Sequence, residues 1–426
     1  MKGITAIILA AGEGTRMKSA HPKVLHKVGG KPMLEYMLEL LHRLEINRYI
    51  VVVGHKAEKV KEILQKSSAG KVKTVRQPKL LGSADAVWQA KDSFSNFKGS
   101  VLVVYADTPL ISEQSLKKLV RFHKTNRVSC TILTAILKNP TGFGRVLRGE
   151  DNRIVRIVEE QDADTYEKAI GEINVGAYCF RAKELFSALE QIKPDNVKKE
   201  YYLTDVIEAL SKKRAKIESV CVRAQEEAFG INSRHDLSRA NTIINKRNIE
   251  RLVSDGVTVL DPATTFIYGD IEAGRDTVIY PHTVIEGRVK IGKGCQIGPF
   301  ARLRSDTVLE DGVQIGNFVE IVRSIIGSGS KIKHHSYIGD TTIGKAVNVG
   351  CGTIIANYDG KNKNPTFIGD GAFIGVGTIL IAPVKIGKKA ITGAGSVVTK
   401  NKNVPAGATV AGVPARILKK KKQRKG

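Results

Sequence analysis

Several residues in this sequence pair reactive side chains with spacings that a plain fold does not require. Leu9-Ala10-Ala11-Gly12-Glu13-Gly14-Thr15-Arg16 follows the apolar run Ile4–Ile8, and Lys23 comes soon after. Glycines at the end of a strand let backbone N–H groups approach phosphate oxygens closely. Arg16 and Lys23 add the cations a triphosphate needs, although a Gly-Glu-Gly turn alone also suits an ordinary tight bend. Asp107 follows a second apolar run, Val101–Tyr105, in a position suited to a metal-binding carboxylate; a turn aspartate ahead of Pro109 is the plainer alternative. His334 and His335 are adjacent. An imidazole near its free pKa can move protons at neutral pH, and neighbours in an extended chain point opposite ways, so one histidine at most faces a given site.

The elements that would carry these residues fall into two grammars. Up to about residue 228, short apolar runs alternate with helical patterns. Strands are expected at Ile4–Leu9, Tyr49–Val53, Val101–Tyr105 and Ser129–Leu137, and helices at Met33–Leu44, Ala57–Gln65, Ser83–Lys91 and Ser112–Lys124. That alternation predicts an α/β domain over 1–228 with a largely parallel sheet, whose ligands sit beyond the carboxyl ends of the strands. Residues 229–252 read as a linker helix segment, with one helix expected over 234–252 and Leu237, Ile243, Ile244 and Ile249 as its apolar stripe.

From 253 to 415 the period changes. Ile291, Ile297, Leu303, Leu309, Ile315 and Ile321 are six apart; the phase slips by one, and Ile326, Ile332 and Ile338 continue. After the long polar break NYDGKNKNP, the spacing of six resumes at Ile368, Ile374, Leu380, Ile386, Thr392 and Val398. Neither a helix nor a hairpin sheet has this period. A parallel β-helix does, with one flat face per hexapeptide and three faces per coil. A flat outer face of this kind favours oligomerisation. A break as long as NYDGKNKNP inside a regular repeat is usually functional.

The totals exclude some classes. No apolar run approaches the roughly 20 residues of a bilayer span, and the N-terminus lacks a signal-peptide pattern. The five cysteines are scattered without a C-x-x-C pair, which suggests neither a disulfide framework nor a zinc site, and a reducing cytoplasm is the expected compartment. The formal net charge is +26, and six positive charges fall in the last eight residues, within the basic tail 416–426. No aromatic residue interleaves with those lysines, so nucleic-acid binding is not expected.

The motifs LAAGEGTRM, PKVLH, LGSADA, YADTPL, TGFGR, VEEQDA, EINVG, EYYLTD and GINSR, then GPFARLR, NFVE, HHSYIGD, VNVGCGTIIANYDGKNK and IAPV, run in order along nearly the whole chain. Together they resemble the bifunctional UDP-N-acetylglucosamine pyrophosphorylase/glucosamine-1-phosphate N-acetyltransferase family. The resemblance implies a Rossmann-like nucleotidyltransferase domain followed by a left-handed parallel β-helix, which usually trimerises. It implies acetyl transfer from acetyl-CoA to glucosamine-1-phosphate, then uridylyl transfer from UTP with release of pyrophosphate.

The resemblance also assigns residues. Arg16 and Lys23 would stabilise the transferring phosphates. Leu9, Ala11, Gly12, Gly14, Gln77, Gly82 and Ser83 would hold the nucleotide, and Gly144, Glu159, Asn174, Tyr202 and Thr204 the sugar, with Glu160 a plausible substitute for Glu159 by composition. Asp107 and Asn232 would bind Mg2+, to which their hard oxygens are suited. His334 would be the base of acetyl transfer. Arg304, Tyr337, Asn348 and Lys363 would bind the acetyl acceptor, and Cys351, Asn357, Tyr358 and Ala394 acetyl-CoA. Four departures from the family pattern stand out. Ala106 replaces a glycine, Phe143 a tyrosine, Val322 a phosphate-holding lysine, and Val376 a serine near the coenzyme.

Two other readings fit parts of the pattern. One is a nucleotidyltransferase whose β-helix only trimerises or regulates. The other is a non-catalytic regulator with the same two-domain plan, which would have no need of Arg16, Lys23, Asp107 and Asn232 together.

Overall fold

A computed structural model describes residues 1, 3–66 and 72–418. Most of the basic tail, 419–426, lies outside the described residues. The chain divides into two compact units, Met1–Asn241 and Thr242–Gly426. The division falls inside one helix, Arg234–Ser254, which starts at the expected residue and runs two residues past 252. The start has a local cause. Ser233 and Asp236 cap each other, Ser233 Oγ accepting from the Asp236 N–H at 3.2 Å and Asp236 Oδ2 accepting from the Ser233 N–H at 2.8 Å.

The first unit is built on a mixed sheet. Its strands are β1 (Ile4–Ala10), β2 (Tyr49–Val53), β3 (Lys73–Arg76), β4 (Ser100–Tyr105), β5 (Cys130–Ile136), β6 (Arg145–Arg148), β7 (Ile154–Val158), β8 (Glu172–Arg181) and β9 (Ile217–Cys221). The main order is β9-β5-β8-β4-β1-β2-β3. Every neighbouring pair is parallel except those made by β8, which runs antiparallel to both β4 and β5. Strand β1 is buried along its whole length because helices cover both faces. Ala6, Ile8 and Ala10 pack with Leu34, Met37 and Leu41 of the helix Met33–Arg43, while Ile7 and Leu9 pack with Ala84 and Val87 of the helix Ser83–Trp88. β6 and β7 form an antiparallel arm that joins β8 at Ile173 opposite Arg145.

The second unit is a parallel β-helix with three columns of inward side chains. Ile291, Leu309, Ile326, Ile343, Ile368 and Ile386 form one column, paired coil to coil. Ile279, Ile297, Ile315, Ile332, Val349, Ile374, Thr392 and Val410 form the second. Ile285, Leu303, Ile321 and Ile338, and above them Ile355, Leu380 and Val398, line the third face. All of these side chains are buried. The sequence pattern showed one phase slip. A second lies at Ile338–Ile343, just past the last residue of that run. Both slips shorten the same corner, where Arg323 and Asp340 adopt φ values of 47° and 52° and pair in a bidentate contact at 2.6 and 2.8 Å. The NYDGKNKNP break leaves the helix at that corner one coil later, so the two short coils and the long one are variations at a single edge.

Candidate active sites

In the first unit the loop after β1 is shaped around Lys23. Gly14 has φ of 68°, and a Cβ there would lie 2.6 Å from Lys23 Cβ. The glycine is therefore needed twice, for its backbone conformation and for the space the lysine stem occupies. Lys23 is only 11% exposed, and its ammonium donates to the Asp107 carboxylate and, at 2.7 Å, to Asn232 Oδ1. Residues far apart in sequence thus converge on one cationic nitrogen. Arg16 stands exposed on the short turn Thr15–Met17. Arg234, which the sequence reading did not single out, ties the same loop to Gly230–Ser233: its Nε donates to the Met17 carbonyl at 3.2 Å, and its Nη1 lies 3.4 Å from His26 Nδ1.

Gln77 is buried at the end of β3. Its amide donates to the Gly82 carbonyl at 3.0 Å and to Asp85 at 2.7 Å. Gly82 has φ of 119°, and a Cβ there would meet the Tyr201 carbonyl at 2.4 Å. Ser83 Oγ accepts from the Leu203 N–H at 2.9 Å. The loop holding Gln77, Gly82 and Ser83 is thereby fastened to the segment Tyr201–Thr204, while Leu9 and Ala11 lie buried at the end of β1.

The arm separates the two glutamates. Glu160 pairs with the fully buried Arg145 at 2.7 Å and accepts from the Gly142 N–H at 3.0 Å. Glu159 turns the other way, accepts from Thr204 Oγ1 at 3.1 Å and lies 3.5 Å from where a Cβ on Gly144 would be. Burial raises the Glu159 carboxyl pKa, while the Thr204 hydrogen bond opposes the shift. Asp205 is pushed up to about 6, first by burial and then by Glu159. Burial also raises the Tyr202 phenol. Asn174 donates to the Tyr178 hydroxyl at 2.5 Å, and its N–H donates to the Gly144 carbonyl at 2.9 Å. Glu159, Gly144, Thr204 and Asn174 therefore form one connected patch.

In the second unit the expected residues collect at two edges of one face. At the first edge, Asn317 pairs with His334, and Cys351 follows one coil above at the same offset of 17 residues that relates Ile332 to Val349 and Tyr337 to Ile354. Val376 and Ala394 continue the column: the Gly377 N–H donates to the Cys351 carbonyl and the Gly395 N–H to the Val376 carbonyl, each at 2.7 Å. His334 is exposed and its Nδ1 lies 2.9 Å from Asn317 Oδ1. His335 is exposed as well, but it stacks on Phe318 at 4.9 Å; Phe318 stacks on Phe300, and Phe300 on His282.

At the second edge, the Asn357 amide donates to Asp340, and a Cβ on Gly339 would lie 2.7 Å from both that amide nitrogen and the Tyr337 hydroxyl. Tyr358 and Lys363 pair across the break. Arg304 donates to Glu320 at 2.8 Å. The two edges are about three residues apart, roughly 10 Å along the strand from His334 to Tyr337. A shallow cleft between them is lined in part by Phe300, Phe318, Glu320, His335, Tyr337 and Ile354. Asn348 lies elsewhere, on the preceding face, paired with Lys331 and Phe373. Asn357 and Tyr358, expected beside Cys351 and Ala394, are instead at the opposite edge within this chain. Val322 is buried, opposite Gly339 in register.

These two units define a class: a nucleotidyltransferase domain joined to a left-handed hexapeptide β-helix of the acyltransferase kind. Residues 5–226 match the Nucleotidyl transferase family, 267–359 the GMPPB C-terminal domain, and 365–400 the bacterial transferase hexapeptide with six repeats. The chain is 43% identical to the bifunctional protein GlmU of Shouchella clausii, with 94% of each chain covered. It is 45% identical to that of Pelotomaculum thermopropionicum over 90% of each, and 42% identical to that of Listeria innocua over 93% of each. The chain belongs to the family of bifunctional GlmU proteins, and it is a transferase for both nucleotidyl and acetyl groups.

Proposed function

We propose that the two activities of the family, synthesis of N-acetylglucosamine-1-phosphate and its conversion to UDP-N-acetylglucosamine, divide between the two units as the side chains suggest. In the first unit, Lys23 and Arg16 hold the triphosphate, Gln77, Gly82 and Ser83 hold the base, and Glu159, Asn174, Thr204, Tyr202 and Gly144 hold the sugar. The observation that carries this reading is the convergence of Asp107 and Asn232 on the Lys23 ammonium. A point where one carboxylate and one amide oxygen already meet a cation suits magnesium, with phosphates and water completing its shell. Among the described residues no group of three or more His, Cys, Asp or Glu side chains competes for a metal. Bound there, Mg2+ would neutralise charge on the α-phosphate and on departing pyrophosphate. The nucleophile is a sugar phosphate, already ionised, so orientation and charge neutralisation carry the rate without a general base.

In the second unit, His334 takes a proton from the acceptor amine as that nitrogen attacks the acetyl-CoA carbonyl. The tetrahedral adduct collapses to an amide and expels the coenzyme thiolate. Arg304, Tyr337 and Lys363 hold the acceptor phosphate side, and the column Cys351–Val376–Ala394 receives the coenzyme. The separation of Cys351 and Ala394 from Asn357, Tyr358 and Asn348 supports a homotrimer, in which a second copy completes each site. The free cysteines are in keeping with a reducing, cytoplasmic setting.

The test is one coupled assay on the whole protein. Glucosamine-1-phosphate, acetyl-CoA, UTP and magnesium should release both free thiol and pyrophosphate. Pyrophosphate only when N-acetylglucosamine-1-phosphate is supplied would mean that the β-helix does not acetylate this acceptor. Val322 is buried, so Val322→Lys should lower the melting temperature, and where its long stem carries the ammonium out to the acceptor phosphate it should lower KM for glucosamine-1-phosphate by up to about tenfold. An unchanged KM would make Val322 a neutral replacement.

A further inference from the structure

We propose that Asn317 is a positioning residue for acetyl transfer: its amide oxygen fixes the His334 tautomer that leaves the Nε2 lone pair free to take the proton. This rests on the reading of His334 as the base. Three observations carry it.

The first is contact. Asn317 and His334 are register partners on successive coils, and Oδ1 lies 2.9 Å from Nδ1. A carbonyl oxygen only accepts, so this contact is a hydrogen bond only when Nδ1 carries the proton. In neutral imidazole that puts the lone pair on Nε2.

The second is rigidity. The residues after both partners, Phe318 and His335, have φ of 56° and 43° and stack ring on ring at 4.9 Å. The stack continues to Phe300 at 5.2 Å and His282 at 4.7 Å. Asn317 and His334 therefore leave the strand at a corner held by a ladder of four rings.

The third is direction. The same corner column continues to Cys351, Val376 and Ala394. The His334 side chain lies exposed at the foot of that column, next in sequence to His335 and Ser336, which line the cleft that runs toward Tyr337. An imidazole held through Nδ1 leaves Nε2 as the free ring nitrogen of this exposed side chain. Once Nε2 is protonated, the Nδ1–H bond to Asn317 becomes charge-assisted and strengthens as the amine is deprotonated. Groups that orient a ring nitrogen from behind commonly contribute about 10–100-fold.

The experiment compares Asn317→Leu with Asn317→Asp in the full-length protein. Leucine keeps bulk and loses the acceptor; aspartate keeps an acceptor facing Nδ1. We expect Asn317→Leu to lower kcat for thiol release 10–100-fold, with KM for glucosamine-1-phosphate and acetyl-CoA and the rate of pyrophosphate release unchanged. Asn317→Asp should stay within about threefold of the parent, on the same accounting. A parent-like kcat in Asn317→Leu, or an Asn317→Asp as slow as the leucine variant, would overturn the proposal. Histidine 15N NMR of the unmodified protein tests it independently of any folding defect: His334 should carry its proton on Nδ1, and an Nε2-protonated ring would overturn it. His334→Ala separates the two ideas. Full acetyl transfer without the imidazole would sink the base assignment itself, whereas an inactive His334→Ala beside a normal Asn317→Leu would sink only the role of Asn317.

Discussion

Gly14 lacks a side chain because the Lys23 stem passes where a Cβ would be, at 2.6 Å, and because the chain there has φ of 68°. A single methyl should therefore act on the lysine and not only on the turn. Gly14→Ala is expected to slow pyrophosphate release at least tenfold while leaving thiol release unchanged, checked by running both readouts on one preparation. Asp205 carries a different kind of information. Burial and Glu159 raise its carboxyl from 3.8 to about 6, so the folded chain holds that proton more tightly than the unfolded chain. Its stabilising contribution is fully present below its unfolded pKa and is lost as pH rises through the folded value. Discounted for partial exposure, the loss is about 1 kcal/mol. Asp205→Asn should melt higher than the parent at pH 7 and lose that advantage toward pH 4, measured as the difference in Tm across the range. A constant difference would show that the carboxyl does not titrate in this window.

Among the elements, the corner ladder His282–Phe300–Phe318–His335 stands out, because left-handed backbone at non-glycine residues is uncommon and here recurs coil after coil. The four rings make three stacked pairs, so only Phe300 and Phe318 have a partner on both sides, and such pairs contribute about 0.5–1.5 kcal/mol each. Phe318→Ala removes two of them beside His334. It should lower the melting temperature modestly and lower kcat of acetyl transfer more than that of uridylyl transfer. Equal loss of both activities would mean a general unfolding effect. At the other edge, the Arg323–Asp340 pair and the Asn357 amide occupy the corner where two coils are each one residue short. The regular coils thus carry the core, and the irregular edge carries the polar groups.

For the whole molecule, two chemistries on one chain need not act on the same bound intermediate. Lys23→Ala and His334→Ala should each abolish one activity and spare the other. Mixed, the two variants should make UDP-N-acetylglucosamine from glucosamine-1-phosphate, with a lag while the acetylated intermediate builds up in solution. No product from the mixture would mean that the intermediate passes directly between units. The chain mass is 46.4 kDa, so sedimentation of a homotrimer should report about three times that value.

The sequence by itself determined the elements and their repeat. A 3.6-residue stripe, a buried strand and a six-residue period each follow from which side chains leave water, and that is written locally. Tyr49–Val53 was readable to the residue, and so were the inward positions from Ile291 to Ile338. The segments around Lys23 and Asp107 were legible from local signals, a glycine-rich loop and an acid after a strand, whereas Asn232 was named by the resemblance alone. What the tertiary structure decided is which groups meet. Only the folded sheet brings Lys23 onto Asn232, 209 positions away. Only the arm turns Glu159 toward Thr204 and hands Glu160 to Arg145. Only coil stacking sets Asn317 behind His334, gathers Cys351 and Ala394 at one edge, and leaves Asn357 at the other. Hydrogen bonds and charges act over a few ångströms of space, and sequence separation carries no record of that distance.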